Sequence, residues 1–196
     1  MAQLSRDLMF ETERHPLVRR AQDIALSLVP SGYVDYYELE GDLWQLKSVS
    51  GDFGDPDLEQ LVKAGFPMEI PTLITPWSTR QPFYQDVYQH ELDTLPEVVQ
   101  HIHAVATLPL LPNETLVGVL AVVLFGQRTW TTVDKAVVET IVSGLGLAAE
   151  RAEQARQLTA QRAALDVRTQ ALGAANKEVE AFAYSVSYPH TAHRQL

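Results

Sequence analysis

The sequence contains no cysteine among its 196 residues. This absence excludes disulfides, zinc–thiolate sites, iron–sulfur clusters, catalysis by a thiol and any chromophore attached through a thioether. Basic residues are also scarce, because 15 Lys and Arg stand against 25 Asp and Glu, which gives a formal charge of −10. A chain this acidic is poorly suited to bind a polyanion. We therefore expect neither nucleic acid nor an anionic membrane among its partners.

Long hydrophobic runs are missing as well. The longest, residues 116–125, has about half the length that a membrane-spanning helix requires. Residues 1–20 mix acidic and basic side chains and lack the apolar stretch of a signal peptide. We therefore expect no targeting segment at the N-terminus and a cytoplasmic location.

Length and composition predict one globular domain with an appendage. Hydrophobic residues make up 46% of the chain and charged residues 20%, which is ordinary for a folded protein. The excess of acid ends near residue 150, and the remainder is rich in Ala, Gln, Arg and Glu. The expected parts are an N-terminal tail over 1–15, a domain over 16–150, a helix over 151–187 and an irregular tail over 188–196.

Local signals predict a mixture of helices and strands, an α+β class. Gly41 and Asp42 separate two strand-like runs in the manner of a two-residue hairpin turn. The last strand-like run is almost wholly apolar, which is typical of a central strand covered on both faces. In order, the predicted elements are a helix from Pro16, strands over 33–40 and 43–48, a short helix that Asp55 caps and Gly65 ends, a proline-rich connection over 66–90 without long helices, a short helix near 96–101, and strands over 103–111 and 115–126.

A long helix is predicted to follow. Thr131 and Asp134 have the spacing of a helix-capping pair, and no proline occurs from there to about residue 187. Apolar residues then recur every seven positions, which is typical of a helix–helix seam and indicates a homodimer through this helix. The seam residues are Leu158, Leu165, Leu172, Val179 and Val186. The second column is polar at Gln161 and Arg168, so the seam should be weak.

Three stretches of the sequence form a recognisable series. They are Thr-Arg-Gln-Pro-Phe-Tyr-Gln-Asp over 79–86, the strand pair over 106–110 and 117–123, and Arg-Thr-Trp-Thr-Thr-Val-Asp over 128–134. In this order and spacing they resemble the GAF domain, a small-molecule sensor module. The resemblance covers about residues 16–150. It implies a central antiparallel sheet flanked by helices, followed here by the long coiled-coil-like helix.

Residues 175–187 resemble the start of the dimerisation helix of a bacterial sensor histidine kinase of the phytochrome-like group. In that family a phosphoacceptor His follows, whereas this chain has Tyr188 and then Pro189, which would break the helix. The chain ends at Leu196 without an ATP-binding domain. We therefore expect a piece of a kinase or a degenerate end, with the kinase core absent from this chain and no catalysis by the chain itself.

Aromatic and histidine side chains supply the candidate ligand-binding residues. The aromatics of the connection either line a cavity or fill the core beneath it, and Asp86, at the family's aspartate position, is a ligand contact or a turn cap. His101 and His103 are predicted to share one strand face, where they would bind a metal or haem iron or simply begin a strand. No third ligand at a suggestive spacing accompanies them, so no metal site is predicted. The candidates are Trp77, Phe83, Tyr84, Asp86, Tyr88, His101 and His103.

The resemblance also limits the ligand classes. A covalent bilin needs a cysteine and usually an Asp-Ile-Pro element, which residues 74–78 lack. The Asn-Lys pair of cyclic-nucleotide-binding GAF domains occurs only at 176–177, outside the domain. The cofactor is therefore unknown, with haem or another small ligand left open.

Three functions are compatible with these features. The first is the sensory input module of a cytoplasmic two-component sensor histidine kinase, which works as a homodimer and passes a small-molecule or partner signal along the helix. The second is a non-enzymatic dimerisation scaffold with no small ligand. The third, phosphotransfer on His190 or His193, lacks a nucleotide-binding motif in the sequence.

Overall fold

Six antiparallel strands form one sheet within residues 1–152, the first of two units in the chain. The structure, a computed structural model, describes residues 2–29, 32–91, 93 and 99–187. The strands are β1 (Tyr33–Glu40), β2 (Leu43–Gly51), β3 (Phe66–Pro67), β4 (Phe83–Gln85), β5 (Ile102–Leu110) and β6 (Gly118–Phe125). Their order in the sheet is β3-β2-β1-β6-β5-β4, so β1 and β6 lie at its centre.

Helices cover both faces of this sheet. They are α1 (Ala2–Leu28), α2 (Pro56–Ala64), α3 (Pro71–Thr79) and α4 (Thr132–Ser187), with a short 3₁₀ turn at Pro112–Glu114. The β1–β2 hairpin turns at Gly41, as predicted, and Gly41 has a φ of +62° that suits glycine. The last, apolar strand was predicted to be central and covered on both faces. This is confirmed, because β6 lies at the centre of the sheet and is buried from Gly118 to Leu124.

Helix caps were predicted well from local sequence. Asp55 caps α2, since its Oδ1 accepts hydrogen bonds from the backbone N–H groups of Asp57 and Leu58. At the start of α4, the backbone N–H and the hydroxyl of Thr131 donate to Asp134 Oδ2, and the Asp134 N–H donates to the Thr131 hydroxyl. Both helix starts are therefore fixed by side chains that lie within three residues of the backbone groups they satisfy.

The predicted start of the first helix at Pro16 was wrong, because α1 begins at Ala2 and Pro16 lies inside it. A proline inside a helix removes one backbone hydrogen bond. Here a tertiary contact holds the preceding turn: Arg14 is buried and pairs with Glu38 of β1 at 2.5 Å. Arg14 and Glu38 are far apart in the sequence, so local sequence patterns do not predict this contact.

The proline-rich connection, for which the sequence predicted no long helix, contains a nine-residue helix, α3. Pro71 occupies its first turn, a position that tolerates proline. Pro76 lies inside the helix and cannot donate to the Thr72 carbonyl. That carbonyl instead accepts a hydrogen bond from the Thr107 hydroxyl at 2.8 Å, so β5 supplies the bond that the proline removes.

Two hydrophobic cores lie on opposite faces of the sheet. Successive side chains of a strand point to opposite faces. Val34 and Tyr36 of β1 pack toward α1 and α4, whereas Tyr33 and Tyr37 pack toward α2 and α3. The second core is the one that contains the candidate ligand cavity.

Residues 153–196 form the second unit, which is the distal part of α4 and the segment after it. The predicted seam residues Leu158, Leu165, Leu172 and Val179 are between 50% and 72% exposed. The side chain of Val186 and the predicted tail over 188–196, with Tyr188, His190 and His193, fall outside the described residues. The first half of the short helix predicted near 96–101 does so too.

No helix within the described part of the chain is both long enough and apolar enough to cross a membrane.

Candidate functional site

A cavity lies between the sheet and the pair α2 and α3. Its apolar wall includes Leu58 and Val62 of α2, Leu73 of α3, and Ala121 and Val123 of β6. The space open to the centres of water-sized molecules is about 50 Å³. A single buried water needs roughly 10–15 Å³ by this measure, so the cavity holds a few waters or a small organic molecule.

Polar groups converge on this cavity from β1. The two-residue period of a strand places Tyr33, Asp35 and Tyr37 on one face, and all three line the cavity. Asp35 is only 2% exposed. Its Oδ2 accepts a hydrogen bond from the Tyr37 hydroxyl at 2.5 Å, while its Oδ1 has no hydrogen-bond partner among the described residues. Burial raises the pKa of Asp35 to about 7, although the Tyr37 hydrogen bond and the backbone N–H of Asp35 itself oppose this shift.

A second carboxylate, Asp93, lines the same cavity and is fully paired. Its Oδ1 accepts from the Thr72 backbone N–H at 3.0 Å. Its Oδ2 accepts from the Tyr88 hydroxyl at 2.7 Å and from the Thr72 hydroxyl. Burial and the charge of Asp93 raise the pKa of Tyr88. Asp93 therefore holds the cavity wall together, and Asp35 keeps an acceptor available.

Thr72 links the cavity to β4. Its hydroxyl donates to Asp93 and accepts a hydrogen bond from the Gln85 side-chain amide at 2.8 Å. Gln85 is the last residue of β4 and directly follows Tyr84. The cavity and β4 are thus joined through two side-chain hydrogen bonds.

The residues beside Gln85 contact the start of α4. The Tyr84 hydroxyl donates to Glu139 Oε1 at 2.8 Å, and the Lys135 ammonium lies 4.8 Å from the centre of the Tyr84 ring. Asp86 accepts a hydrogen bond from the Trp130 backbone N–H at 3.3 Å. The contacts therefore continue from the cavity, through β4, to the first turns of α4.

The structure separates the residues predicted to bind a ligand. Among the described residues, Tyr88 is the one of the seven that lines the cavity. Trp77 packs edge-on against Trp44 with ring centres 5.2 Å apart, and Phe83 lies opposite Thr107 in the β4–β5 pair. Tyr84 and Asp86 face α4 instead, as described above.

The prediction that His101 and His103 lie on one strand was wrong. His101 precedes β5, and a bulge between Ile102 and Ala104 interrupts the alternation at His103. The His101 Nε2 donates to the Phe53 carbonyl at 2.7 Å, and its ring packs against Phe125. No group of three or more metal-ligating side chains occurs in the part of the chain that the structure describes.

Sequence reasoning missed Asp35. The signal was present, because an aspartate in the middle of the strand sequence Tyr-Val-Asp-Tyr-Tyr falls on the same face as two tyrosines. Buried carboxylates are rare unless paired, so this position is unusual for a purely structural residue.

Haem and bilin do not fit this cavity. No imidazole lines it within the described residues, and the chain has no cysteine for a thioether. Its volume, equivalent to a few waters, is far below that of either tetrapyrrole.

The curled antiparallel sheet, its flanking helices and the long terminal helix define an α+β GAF fold. The PixJ GAF domain of Thermosynechococcus elongatus in its blue-light-absorbing form has a TM-score of 0.61 and 17% identity, covering 79% of this chain and 95% of its own. The GAF-B domain of DevS from Mycobacterium smegmatis has a TM-score of 0.57 and 18% identity, covering 74% and 98%. The GAF domain of a two-component sensor histidine kinase from Bacillus halodurans has a TM-score of 0.52 and 19% identity, covering 71% and 95%.

Comparisons of sequence give no such matches. No protein-family model matches the chain, and no curated protein does so either. The likeness to solved structures therefore concerns the fold.

Proposed function

We propose that this chain is the sensory input module of a cytoplasmic two-component sensor histidine kinase. In this proposal a small molecule binds in the cavity and alters the packing at the start of α4. A homodimer formed through the distal part of α4 passes the change to a kinase core. The observation that carries the proposal is the series of contacts from Asp93 through Thr72 and Gln85 to α4.

The support for signal transmission is the continuity of that series. Thr72 hydrogen-bonds both the cavity carboxylate and Gln85. The neighbours of Gln85 in turn contact Trp130, Lys135 and Glu139. A ligand that moved Asp93 or Tyr88 would disturb the hydrogen bonds to Thr72 and Gln85. The backbone of β4 then joins Gln85 to the residues that contact α4, and α4 continues to Ser187. Such a network transmits a signal only if α4 has two arrangements of similar energy.

The support for dimerisation is the apolar stripe along distal α4. Leu158, Leu165, Leu172 and Val179 are exposed in the single chain, at the spacing of one coiled-coil column. Exposed leucines at this period are costly unless a second helix covers them. The kinase assignment is supported by the resemblance of residues 175–187 and by the Bacillus halodurans neighbour, which is described as part of such a kinase.

The proposal can be tested by fusing the chain, at Ser187, to the catalytic core of a soluble histidine kinase. Thr72→Val removes the hydroxyl that joins Asp93 to Gln85 but keeps the side-chain shape and the backbone bonds. We expect it to change the autophosphorylation rate several-fold. Thr75→Val makes the same chemical change on α3 outside the network and should leave the rate unchanged. Equal rates for Thr72→Val and wild type would refute transmission through this network.

The ligand requires a separate measurement. Native mass spectrometry of the purified chain, followed by analysis of released small molecules, should detect a bound compound. Ala121 lies in the cavity wall, and Ala121→Val narrows the space. We expect that substitution to reduce the amount of bound compound.

A second candidate function is a dimerisation scaffold without a small ligand. The observation that favours it is the small cavity volume, about 50 Å³. On this hypothesis Ala121→Val would leave both the dimer and the kinase output of the fusion unchanged, and no compound would be released.

A further inference from the structure

The cavity contains a buried carboxyl group, Asp35, one oxygen of which has no hydrogen-bond partner among the described residues, in an aromatic environment. Asp35 is 2% exposed, and its Oδ1 has no hydrogen-bond partner among the described residues. A buried acceptor without a partner costs free energy, so its presence requires an explanation. Four aromatic rings line the same space, those of Tyr33, Tyr37, Phe66 and Tyr88.

The charge of the lining has a single sign. Asp35 and Asp93 both line the cavity, and no Lys, Arg or His does so within the described residues. Such a lining repels carboxylates and phosphates and attracts a cation. Aromatic faces add to this attraction, since their quadrupoles favour cations within about 6 Å.

We propose that the cavity binds a small protonated amine, which donates an N–H to Asp35 Oδ1 while its alkyl part contacts the apolar wall. This inference rests on the proposed sensory function and names the chemical class of its ligand. Asp35 is the preferred partner over Asp93, because both oxygens of Asp93 already accept hydrogen bonds, from the Thr72 N–H, the Thr72 hydroxyl and the Tyr88 hydroxyl. The cavity, with room for a few waters, fits an amine of about five non-hydrogen atoms.

Binding should depend on pH through Asp35. The titratable groups that face it are Tyr33 and Tyr37 of β1, Tyr88, and Asp93. Burial raises the pKa of all three tyrosines, so they stay neutral near pH 7. Burial also raises the pKa of Asp35 to about 7, and the amine requires the ionised carboxylate. We therefore expect affinity for an amine to rise about tenfold between pH 6 and pH 8.

The test uses three probes of similar size on the full chain: n-butylammonium, 1-butanol and butyrate. Each is titrated into isotopically labelled protein at constant ionic strength, with backbone amide shifts of β1 and β6 as the readout. We expect n-butylammonium to bind at least tenfold more tightly than 1-butanol and butyrate not to bind. Asp35→Asn should weaken n-butylammonium at least tenfold, while the exposed-carboxylate control Asp42→Asn should have no effect.

Several outcomes would overturn the inference. They are butyrate or 1-butanol binding as tightly as n-butylammonium, an unchanged affinity in Asp35→Asn, or no shift with any probe. If Asp35→Asn does not fold, the pH dependence in the wild-type chain decides, and a flat profile between pH 6 and pH 8 would refute the role of Asp35. None of these results decides whether the chain transmits a signal, which the kinase fusion tests independently.

Discussion

The Tyr37 hydroxyl donates a hydrogen bond of 2.5 Å to Asp35 Oδ2, two residues away on the same face of β1. This bond partly stabilises a carboxylate that is otherwise withdrawn from water. Burial still dominates and raises the pKa of Asp35 from an ordinary 3.8 to about 7. The pair therefore makes the stability of the domain sensitive to pH.

Stability should fall as pH rises from about 4 to 7 because of Asp35. In the unfolded chain this carboxyl releases its proton near pH 3.8, whereas in the folded protein it holds the proton to about pH 7. Between these values the folded state binds more protons, so the free energy of unfolding decreases with pH, by roughly 4 kcal/mol in total.

Urea unfolding at several pH values would measure this effect. As pH rises from about 4 to 7, we expect the free energy of unfolding of the wild type to fall relative to that of Asp35→Asn. The exposed-carboxylate control Asp42→Asn should follow the wild-type profile. Parallel profiles for Asp35→Asn and wild type would show that Asp35 does not titrate in this range.

The Asp55 cap should stabilise α2 and, through Leu58 and Val62, the cavity wall. Asp55→Ala removes the acceptor for two backbone N–H groups at the helix start. We expect a loss of about 1 kcal/mol in the free energy of unfolding. Asp55→Asn keeps an oxygen acceptor and should lose much less, so equal losses in the two variants would contradict a capping role.

The bond between Tyr84 and Glu139 should hold β4 against α4. Glu139→Ala removes the nearer acceptor of the Tyr84 hydroxyl, at 2.8 Å, and leaves the Lys135 carbonyl oxygen at 3.4 Å. We expect a loss of about 1 kcal/mol in the free energy of unfolding, together with faster amide hydrogen exchange in the first turns of α4. Glu139→Gln retains an acceptor oxygen and should behave nearly as wild type. If the amide hydrogen exchange of these turns is unchanged in Glu139→Ala, the Tyr84–Glu139 contact does not belong to the proposed network.

The features that sequence predicted correctly are local. The hairpin at Gly41, the cap at Asp55 and the cap at Thr131 each depend on residues within a few positions. The features that it missed depend on distant contacts. The hydroxyl of Thr107 satisfies the carbonyl left by Pro76 in α3, and Glu38 pairs with Arg14 beside Pro16.

The candidate site was only partly predictable for the same reason. The aromatic residues of the proline-rich connection were predicted to bind a ligand, and Tyr88 does line the cavity. Tyr84 points toward α4, whereas its neighbour Gln85 points toward Thr72, because successive residues of a strand alternate between the two faces of the sheet. The decisive carboxylate lies on β1, and its burial follows from the packing of α2 and α3 over that strand.

The seam along distal α4 should form the dimer. Leu165→Glu together with Leu172→Glu would place like charges opposite each other in a parallel pair of helices. We expect the double variant to sediment as a monomer while the domain keeps its wild-type circular dichroism. Ala163→Glu with Gln170→Glu adds the same charge on the outer side of the same helix and should remain dimeric. A dimeric seam variant would place the interface elsewhere.

The polar half of the seam should keep the dimer able to switch. Gln161 and Arg168 occupy the column beside the leucines, where apolar residues would lock one register. Each fully buried large apolar side chain is worth ~1.5–3 kcal/mol, so Gln161→Leu with Arg168→Leu should raise the unfolding temperature of the dimer. In the kinase fusion the same pair should fix autophosphorylation at one level, whether or not Thr72 is changed to Val. If Thr72→Val still changes the autophosphorylation rate in full when Gln161 and Arg168 are both Leu, the signal does not depend on rearrangement of these helices.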